Sequence, residues 1–159
     1  MNAENKSYFF LLLWSVTLIL IGSIIGSLTK PEISTWYSVL NRSQLTPPNY
    51  VFSVAWTILY GIVGVCGWLI WRTPSFSGLR LIKNLYVMQL ILNWSWTPLF
   101  FRYHLTGFAL VGLMVMDIAV SMIIYLGYGK VRSASLLMIP YLLWILFASY
   151  LNFYIWQYN

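Results

Sequence analysis

This chain of 159 residues is dominated by five apolar stretches, at residues 8–28, 51–71, 85–101, 106–128 and 134–156. Each is about as long as an α-helix that crosses a bilayer, and only one charged residue, Asp117, falls within them. In lipid, backbone N–H and C=O groups must be paired within the protein, which a helix achieves by itself. We therefore predict an all-α integral membrane protein, a bundle of five transmembrane helices forming one domain over residues 1–159.

The positive charges predict an orientation for this bundle. The composition is 60% hydrophobic and 8% charged, which leaves no room for a soluble domain. Lys and Arg are more numerous on the side of the N-terminus, and this bias favours that side as the inside. In a bacterial host the membrane would be the cytoplasmic one, with the first loop facing outward. The net charge of +6 then reflects topology, and we find no pattern typical of nucleic-acid binding.

The residues that usually form metal or nucleophile sites are isolated in this sequence. Cys66 is the single cysteine and His104 the single histidine, so neither a disulfide framework nor a metal site is predicted, and no cofactor is required. Asp117 is an intramembrane carboxylate, which by default suggests a ligand or proton role. The alternative is a packing role, with a hydrogen bond to Ser121 or a tyrosine.

The loop between the first two helices, at residues 30–50, is longer than a simple connection needs. It contains two aromatic residues, Trp36 and Tyr37, and the rigid pair Pro47-Pro48. Long loops without secondary structure are uncommon in compact domains and are often functional. We therefore predict a structured lid that covers a site.

Polar and aromatic residues recur at helical spacing on three helices. They are Phe52, Trp56 and Tyr60 on the second, Gln89, Asn93 and Trp96 on the third, and Tyr141, Trp144, Ala148 and Asn152 on the fifth. Amides cost free energy in lipid unless they find partners, so we expect these faces to point into the bundle. Such faces could line a pocket for a large, flat, mostly apolar ligand. The alternatives are hydrogen bonds between helices and aromatic anchors at the membrane surface.

Glycines at helical spacing indicate close contacts between helices. Gly22 and Gly26 form a GxxxG pattern in the first helix, and Gly61, Gly64 and Gly67 recur in the second. Small residues let backbones approach in lipid, either inside one bundle or across a dimer interface.

Three blocks of this sequence resemble the TspO/MBR family, also known as tryptophan-rich sensory proteins, translocator proteins or peripheral-type benzodiazepine receptors. The blocks contain Trp36-Tyr37, Thr46-Pro47-Pro48 and Trp56-Thr57 in the first, Gln89, Asn93, Trp96 and Pro98 in the second, and Pro140-Tyr141, Trp144, Ala148 and Asn152 in the third. They occur in the family's order, and the resemblance extends over nearly the whole chain.

The resemblance implies a five-helix bundle, usually a homodimer, that binds tetrapyrroles such as protoporphyrin IX and certain flat drugs. Carried over by position, the ligand-binding residues are Tyr37, Pro47, Trp56, Asn93, Trp96, Trp144 and Ala148. The implied function is a porphyrin receptor or binding protein with a possible role in transport or regulation. The alternative is an enzyme that degrades protoporphyrin IX in light, for which Trp56 and Trp144 would be the catalytic residues.

Two features depart from the family pattern. The sterol motif of animal members needs a basic residue after its tyrosine, and residues 154–159 contain none. Many members also carry an acidic residue early in the fourth helix, where Gly112 stands here. We therefore transfer neither sterol binding nor a family role for Asp117.

Overall fold

The computed structural model describes residues 3–159, with side chains from Ser7 onward. It contains five α-helices: α1 (Ala3–Ser34), α2 (Asn49–Arg72), α3 (Leu79–Thr97), α4 (Thr106–Gly127) and α5 (Arg132–Tyr158). A short 3₁₀ turn, Tyr37–Val39, lies between α1 and α2, and a π-helical segment, Pro98–Arg102, continues α3. This confirms the predicted all-α fold.

Four of the five helices, α1, α2, α4 and α5, are long and apolar enough to cross a membrane. The helix α3 begins with Arg80 and Lys83 in its first turns and carries Gln89 and Asn93 further along. These polar residues make α3 less apolar than the other helices. Its buried residues instead face the bundle, as described below.

The helix α1 is longer than predicted, because it runs through Pro31 and ends at Ser34. The turn after Pro31 lies beyond the apolar stretch and has its own contacts. Glu32 lies 3.5 Å from Arg102 and from the Nε2 atom of His104, and Ile33 packs against the buried cluster that contains Tyr37 and Phe100. These contacts stabilise one more helical turn, so the lid consists of residues 35–48 and not 30–50.

The third helix also differs from its prediction at both ends. It begins at Leu79, directly after Gly78, whose positive φ of 99° reverses the chain. At the other end, Pro98 lacks an N–H group, which interrupts the regular hydrogen-bond pattern. The chain then forms wider π-type bonds, such as that from the Tyr103 N–H to the Pro98 carbonyl at 3.0 Å.

The five helices form a closed ring. In order around the bundle, α1 packs on α2, α2 on α5, α5 on α4, α4 on α3, and α3 returns to α1. The third, fourth and fifth helices are thus neighbours in their chain order.

The glycines bring α1 close to its neighbours. A Cβ atom at Gly22 would overlap the ring of Tyr60, one at Gly64 would overlap Ser15, and one at Gly67 would overlap the Tyr86 hydroxyl. By contrast, no atom lies within 4 Å of the Cβ position at Gly26. Packing inside the bundle therefore explains Gly22, Gly64 and Gly67, but not Gly26.

Candidate functional site

A buried hydrogen-bond network joins α2, α3 and α5 near the middle of the bundle. The Tyr60 hydroxyl donates to Oδ1 of Asn93 at 2.6 Å, and Nδ2 of Asn93 donates to the Tyr141 hydroxyl at 3.0 Å. Tyr141 in turn donates to Oε1 of Gln89 at 2.7 Å. Both polar atoms of Asn93 thus have protein partners, and the expectation that these amides face inward is confirmed.

An aromatic wall, formed by Phe52, Trp56, Tyr60, Trp144 and Phe147, lies between α2 and α5. The rings of Trp56 and Trp144 meet edge to face, with centroids 6.5 Å apart and planes at 88°. Phe52 and Phe147 flank Trp144 at 6.0 and 5.9 Å, and Tyr60 lies 5.7 Å from Trp56. These distances are typical of favourable aromatic pairs.

One buried polar atom of the aromatic wall lacks a hydrogen-bond partner among the described residues. The Nε1 atom of Trp144 is buried and has no hydrogen-bond partner among the described residues. A buried N–H group without an acceptor costs free energy, so a ligand that brings an acceptor would gain from this position.

A second aromatic group, the lid cluster, lies under the lid and consists of Trp36, Tyr37, Phe100 and Phe101. Tyr37 is buried, with its ring 6.2 Å from Phe100 and 5.5 Å from Phe101. Trp36 contacts Phe100 edge to face at 5.5 Å. Burial raises the pKa of the Tyr37 phenol above its ordinary value, and the nearby Arg42 guanidinium opposes part of that rise.

Trp96 packs against both groups of buried residues. Its ring stacks on Phe100 with centroids 5.2 Å apart, and it also packs against the main buried core, as Trp56 and Trp144 do. Its Nε1 atom donates to Oδ1 of Asn152 at 3.0 Å, and Asn152 donates to the Thr106 carbonyl. We call the lid cluster, Trp96 and the aromatic wall together the aromatic surface, since Trp96 packs against the same core as Trp56 and Trp144 and also against the lid cluster.

Hydrogen bonds hold the lid against α5. The Asn41 N–H donates to Oδ1 of Asn159 at 2.8 Å, and Nδ2 of Asn159 donates back to the Asn41 carbonyl at 3.1 Å. The Asn41 side chain also donates to the Tyr158 carbonyl, and Ser43 shares a hydrogen bond of 2.9 Å with the Tyr150 hydroxyl. The predicted structured loop is therefore confirmed.

The structure assigns the predicted site residues to different parts of this surface. Trp56 and Trp144 lie in the aromatic wall, Tyr37 lies in the lid cluster, and Trp96 stacks on Phe100 of the lid cluster. Asn93 lies in the hydrogen-bond network, while Ala148 is buried one turn from Trp144 on α5. Pro47 is half-buried, two residues before α2, and belongs to neither aromatic group. Whether these residues bind a ligand stays a prediction.

Some contacts of this region could not be predicted from the sequence. Asn41 and Asn159 are separated by 118 positions, and no local pattern pairs them. His104 stacks on Trp36 with ring centroids 4.1 Å apart. The only sequence signal for this pair was that both side chains are flat rings, which form favourable stacked or edge-to-face pairs when they lie close together.

Asp117 lies away from the aromatic wall, on the side of α4 that faces α5. The predicted partners, Ser121 or a tyrosine, are wrong, because the Ser149 hydroxyl donates to Oδ2 of Asp117 at 2.7 Å. Ser121 lies four residues after Asp117 and therefore on the same face of α4, but the hydrogen-bond partner of Asp117 comes from the neighbouring helix. Asp117, Ser121 and Tyr125 line a surface cavity of about 360 Å³. The bond to Ser149 ties α4 to α5.

No group of three or more His, Cys, Asp or Glu side chains that could hold a metal ion occurs within the described part of the chain. Aromatic rings and amides make up the site, and these suit a flat organic ligand.

Comparison with known sequences identifies the family. The model of the TspO/MBR family matches residues 13–157, which is nearly the whole chain. The chain belongs to the TspO/MBR family. The resemblance seen in the three sequence blocks is thereby confirmed, and the protein is an integral membrane protein.

Members of the TspO/MBR family from distant organisms are similar to this chain. The tryptophan-rich protein TspO of Archaeoglobus fulgidus is 40% identical over 131 residues, which cover 82% of this chain and 84% of that protein. The translocator protein of Homo sapiens is 32% identical over 142 residues, covering 87% and 84%. The tryptophan-rich sensory protein of Cereibacter sphaeroides is 34% identical over 128 residues, covering 80% and 78%.

Proposed function

We propose that this protein is a membrane receptor or binding protein for porphyrins of the protoporphyrin IX type, with a role in transport or regulation. The observation that carries the proposal is the presence of two groups of aromatic rings, the aromatic wall and the lid cluster, together with the hydrogen bonds that anchor the lid. Large flat ligands bind well to such surfaces, because aromatic rings bury much area and lose little conformational entropy.

The edge-to-face contact of Trp56 and Trp144 is the place where a macrocycle would insert. Ring contacts of this kind are worth about 0.5–1.5 kcal/mol, so a stacked ligand can replace them. A porphyrin inserted there would stack on the face of one indole and meet the edge of the other, because the two ring planes lie at 88°.

A titration of the protein with protoporphyrin IX in detergent tests the proposal. We expect saturable quenching of tryptophan fluorescence, and about tenfold weaker binding in Trp144→Ala, because one stacking surface is lost. The matched control is Trp71→Ala, which removes an exposed indole at the far end of α2. Unchanged binding in Trp144→Ala, or an equal loss in both variants, would show that the site is wrongly placed.

The second candidate function is light-dependent oxidative degradation of protoporphyrin IX. The contact between the indoles of Trp56 and Trp144 favours it, because oxidisable rings would lie directly against an illuminated macrocycle. The measurement is the decay of the Soret absorbance of bound porphyrin under light and air. Decay no faster than that of free porphyrin in detergent, or equal decay in Trp56→Phe and Trp144→Phe, would exclude this activity.

We also propose a homodimer, on the strength of the family resemblance. The lipid-facing side of α1 leaves Gly26 free of contacts within the bundle, so this side could take part in a helix–helix interface. Light scattering of the purified protein in detergent gives its oligomeric state, and a mass of one chain would contradict the dimer.

A further inference from the structure

Arg42 occupies a fixed position in the lid. The residue before it, Asn41, is hydrogen-bonded to Asn159 and to the Tyr158 carbonyl, and the residue after it, Ser43, is bonded to Tyr150. Both neighbours are therefore tied to α5. A backbone held on both sides restricts where the Arg42 side chain can reach, which lowers the entropy cost of any bond that it makes.

The Arg42 guanidinium lies over an aromatic ring of the proposed site. Its Cζ atom is 5.0 Å from the centroid of the Tyr37 ring, and the residue is exposed to solvent. A guanidinium carries five N–H donors, and a cation–π contact with one ring does not use all of them. Arg42 thus presents donors at the rim of the aromatic surface.

The acidic side chains that the structure describes are engaged elsewhere. Glu32 lies 3.5 Å from Arg102, and Asp117 on α4 accepts a hydrogen bond from Ser149 on α5. Of the positive residues on the lid side, Arg102 is therefore paired with Glu32. Arg42 instead rests on a neutral ring, so an anionic ligand would not have to displace a carboxylate to reach it.

A tetrapyrrole of the protoporphyrin type is a flat apolar ring with carboxylates along one edge. Carboxylates are costly in the bilayer interior, so a bound porphyrin must keep this edge at the membrane surface. The lid lies at that surface, and the aromatic surface runs from the lid cluster inward. The apolar ring would therefore lie deep, and its carboxylate edge would lie beside the lid.

We propose that Arg42 is a carboxylate-binding residue, which pairs with an acidic group of the ligand at the rim of the site. The inference rests on the proposed porphyrin-binding function and adds a site of charge recognition to it. A guanidinium bonds a carboxylate through two parallel hydrogen bonds, which fixes the orientation of the ligand as well as its affinity. The site would then distinguish porphyrin acids from neutral porphyrins.

The test compares two probes, protoporphyrin IX and its dimethyl ester, in which both carboxylates are neutralised. Each is titrated into the full chain in detergent, as wild type, Arg42→Gln and Arg102→Gln. We expect Arg42→Gln to weaken binding of the diacid about tenfold, because a charge-assisted hydrogen bond is lost, and to leave binding of the ester unchanged. Arg102→Gln is the matched control and should change neither, and Arg42→Lys should retain part of the affinity for the diacid.

The outcomes separate this inference from the proposed function. If the wild-type protein binds neither probe, the porphyrin-binding function is wrong, and the inference falls with it. If Arg42→Gln binds the diacid as well as the wild type does, porphyrin binding stands and the role of Arg42 is overturned. An equal loss for diacid and ester also overturns it, because Arg42 would then act only by packing on Tyr37. An equal effect of Arg102→Gln would mean that charge recognition is not specific to Arg42.

Discussion

Asn93 lies among three helices, and both of its polar atoms have hydroxyl partners from tyrosines. In water these groups would also form hydrogen bonds with solvent, whereas an amide in the interior of a membrane bundle depends on partners from the protein. A single amide therefore links α2, α3 and α5 at the depth of the aromatic wall. The same amide was predicted as a ligand contact, and a ligand could reach its atoms only by breaking these bonds.

We expect Asn93→Leu to lower the stability of the bundle by about 1 kcal/mol, since double-mutant measurements on membrane helices give bonds of this size. The readout is thermal or denaturant unfolding in detergent. The control is Ile91→Val, a lipid-facing change on the same helix, which should have a much smaller effect. Equal losses in the two variants would contradict the structural role of the network.

Gly22 and Gly26 share a sequence pattern but differ in their surroundings. Gly22 faces the ring of Tyr60, whereas the Cβ position of Gly26 is open. We expect Gly22→Ala to destabilise the protein by about 1–3 kcal/mol, because the added methyl group forces Tyr60 to move. Gly26→Ala should be nearly neutral in an unfolding assay, and the opposite ranking would contradict the packing of α1 on α2.

At the scale of secondary-structure elements, the lid depends on contacts that are distant in sequence. Its aromatic residues pack on the π-helical segment, and its backbone is bonded to the last turn of α5. The lid loop contains little regular secondary structure, so these contacts hold it in place. Removing them should free the lid and leave the five helices intact.

Asn159→Ala removes the side chain that exchanges hydrogen bonds with the Asn41 backbone. We expect faster amide hydrogen exchange across residues 35–48 and little change within the helices, because local opening of the lid becomes easier. Gln157→Ala, an exposed change two residues away, is the control. Unchanged exchange in the lid of Asn159→Ala would mean that other contacts hold it.

At the scale of the whole molecule, the positive charges predict that the N-terminus lies inside and the lid outside. A cysteine placed at Gln44 in the lid, in a Cys66→Ala background, should react with a membrane-impermeant maleimide in intact cells. A cysteine at Ser75, in the connection between α2 and α3, should not react until the membrane is opened. Both positions are exposed, so the reversed labelling pattern would indicate the opposite orientation.

The sequence predicted the helices well in their apolar parts and less well at their ends. Hydropathy located all five helices, because apolar length is what a bilayer selects. The prediction ended the first helix too early, at residue 28, because the pair of Glu32 with Arg102 that stabilises the extra turn joins parts of the chain far apart in sequence. The predicted third helix began too late, at residue 85, because the first turns of α3 contain the charged residues Arg80 and Lys83, which hydropathy does not count as helical.

The candidate site shows the same division. Helical spacing was enough to place Trp56, Asn93, Trp96 and Trp144 on inward faces, because the period of a helix decides which residues share a side. The sequence could not show that both polar atoms of the Asn93 side chain would be hydrogen-bonded to tyrosines. Nor could it show that Asp117 would accept a hydrogen bond from Ser149. Partners of this kind depend on which helices are neighbours and on their rotation in the bundle.

The sequence by itself thus determined a helical membrane bundle, its family and the side chains that face inward, because bilayer thickness and helical periodicity act locally along the chain. The tertiary structure alone decided how those side chains are combined. It joined the lid to the end of α5, placed Arg42 over Tyr37, and stacked Trp96 on Phe100 of the lid cluster. These contacts link residues far apart in sequence, and only packing of the whole chain brings them together.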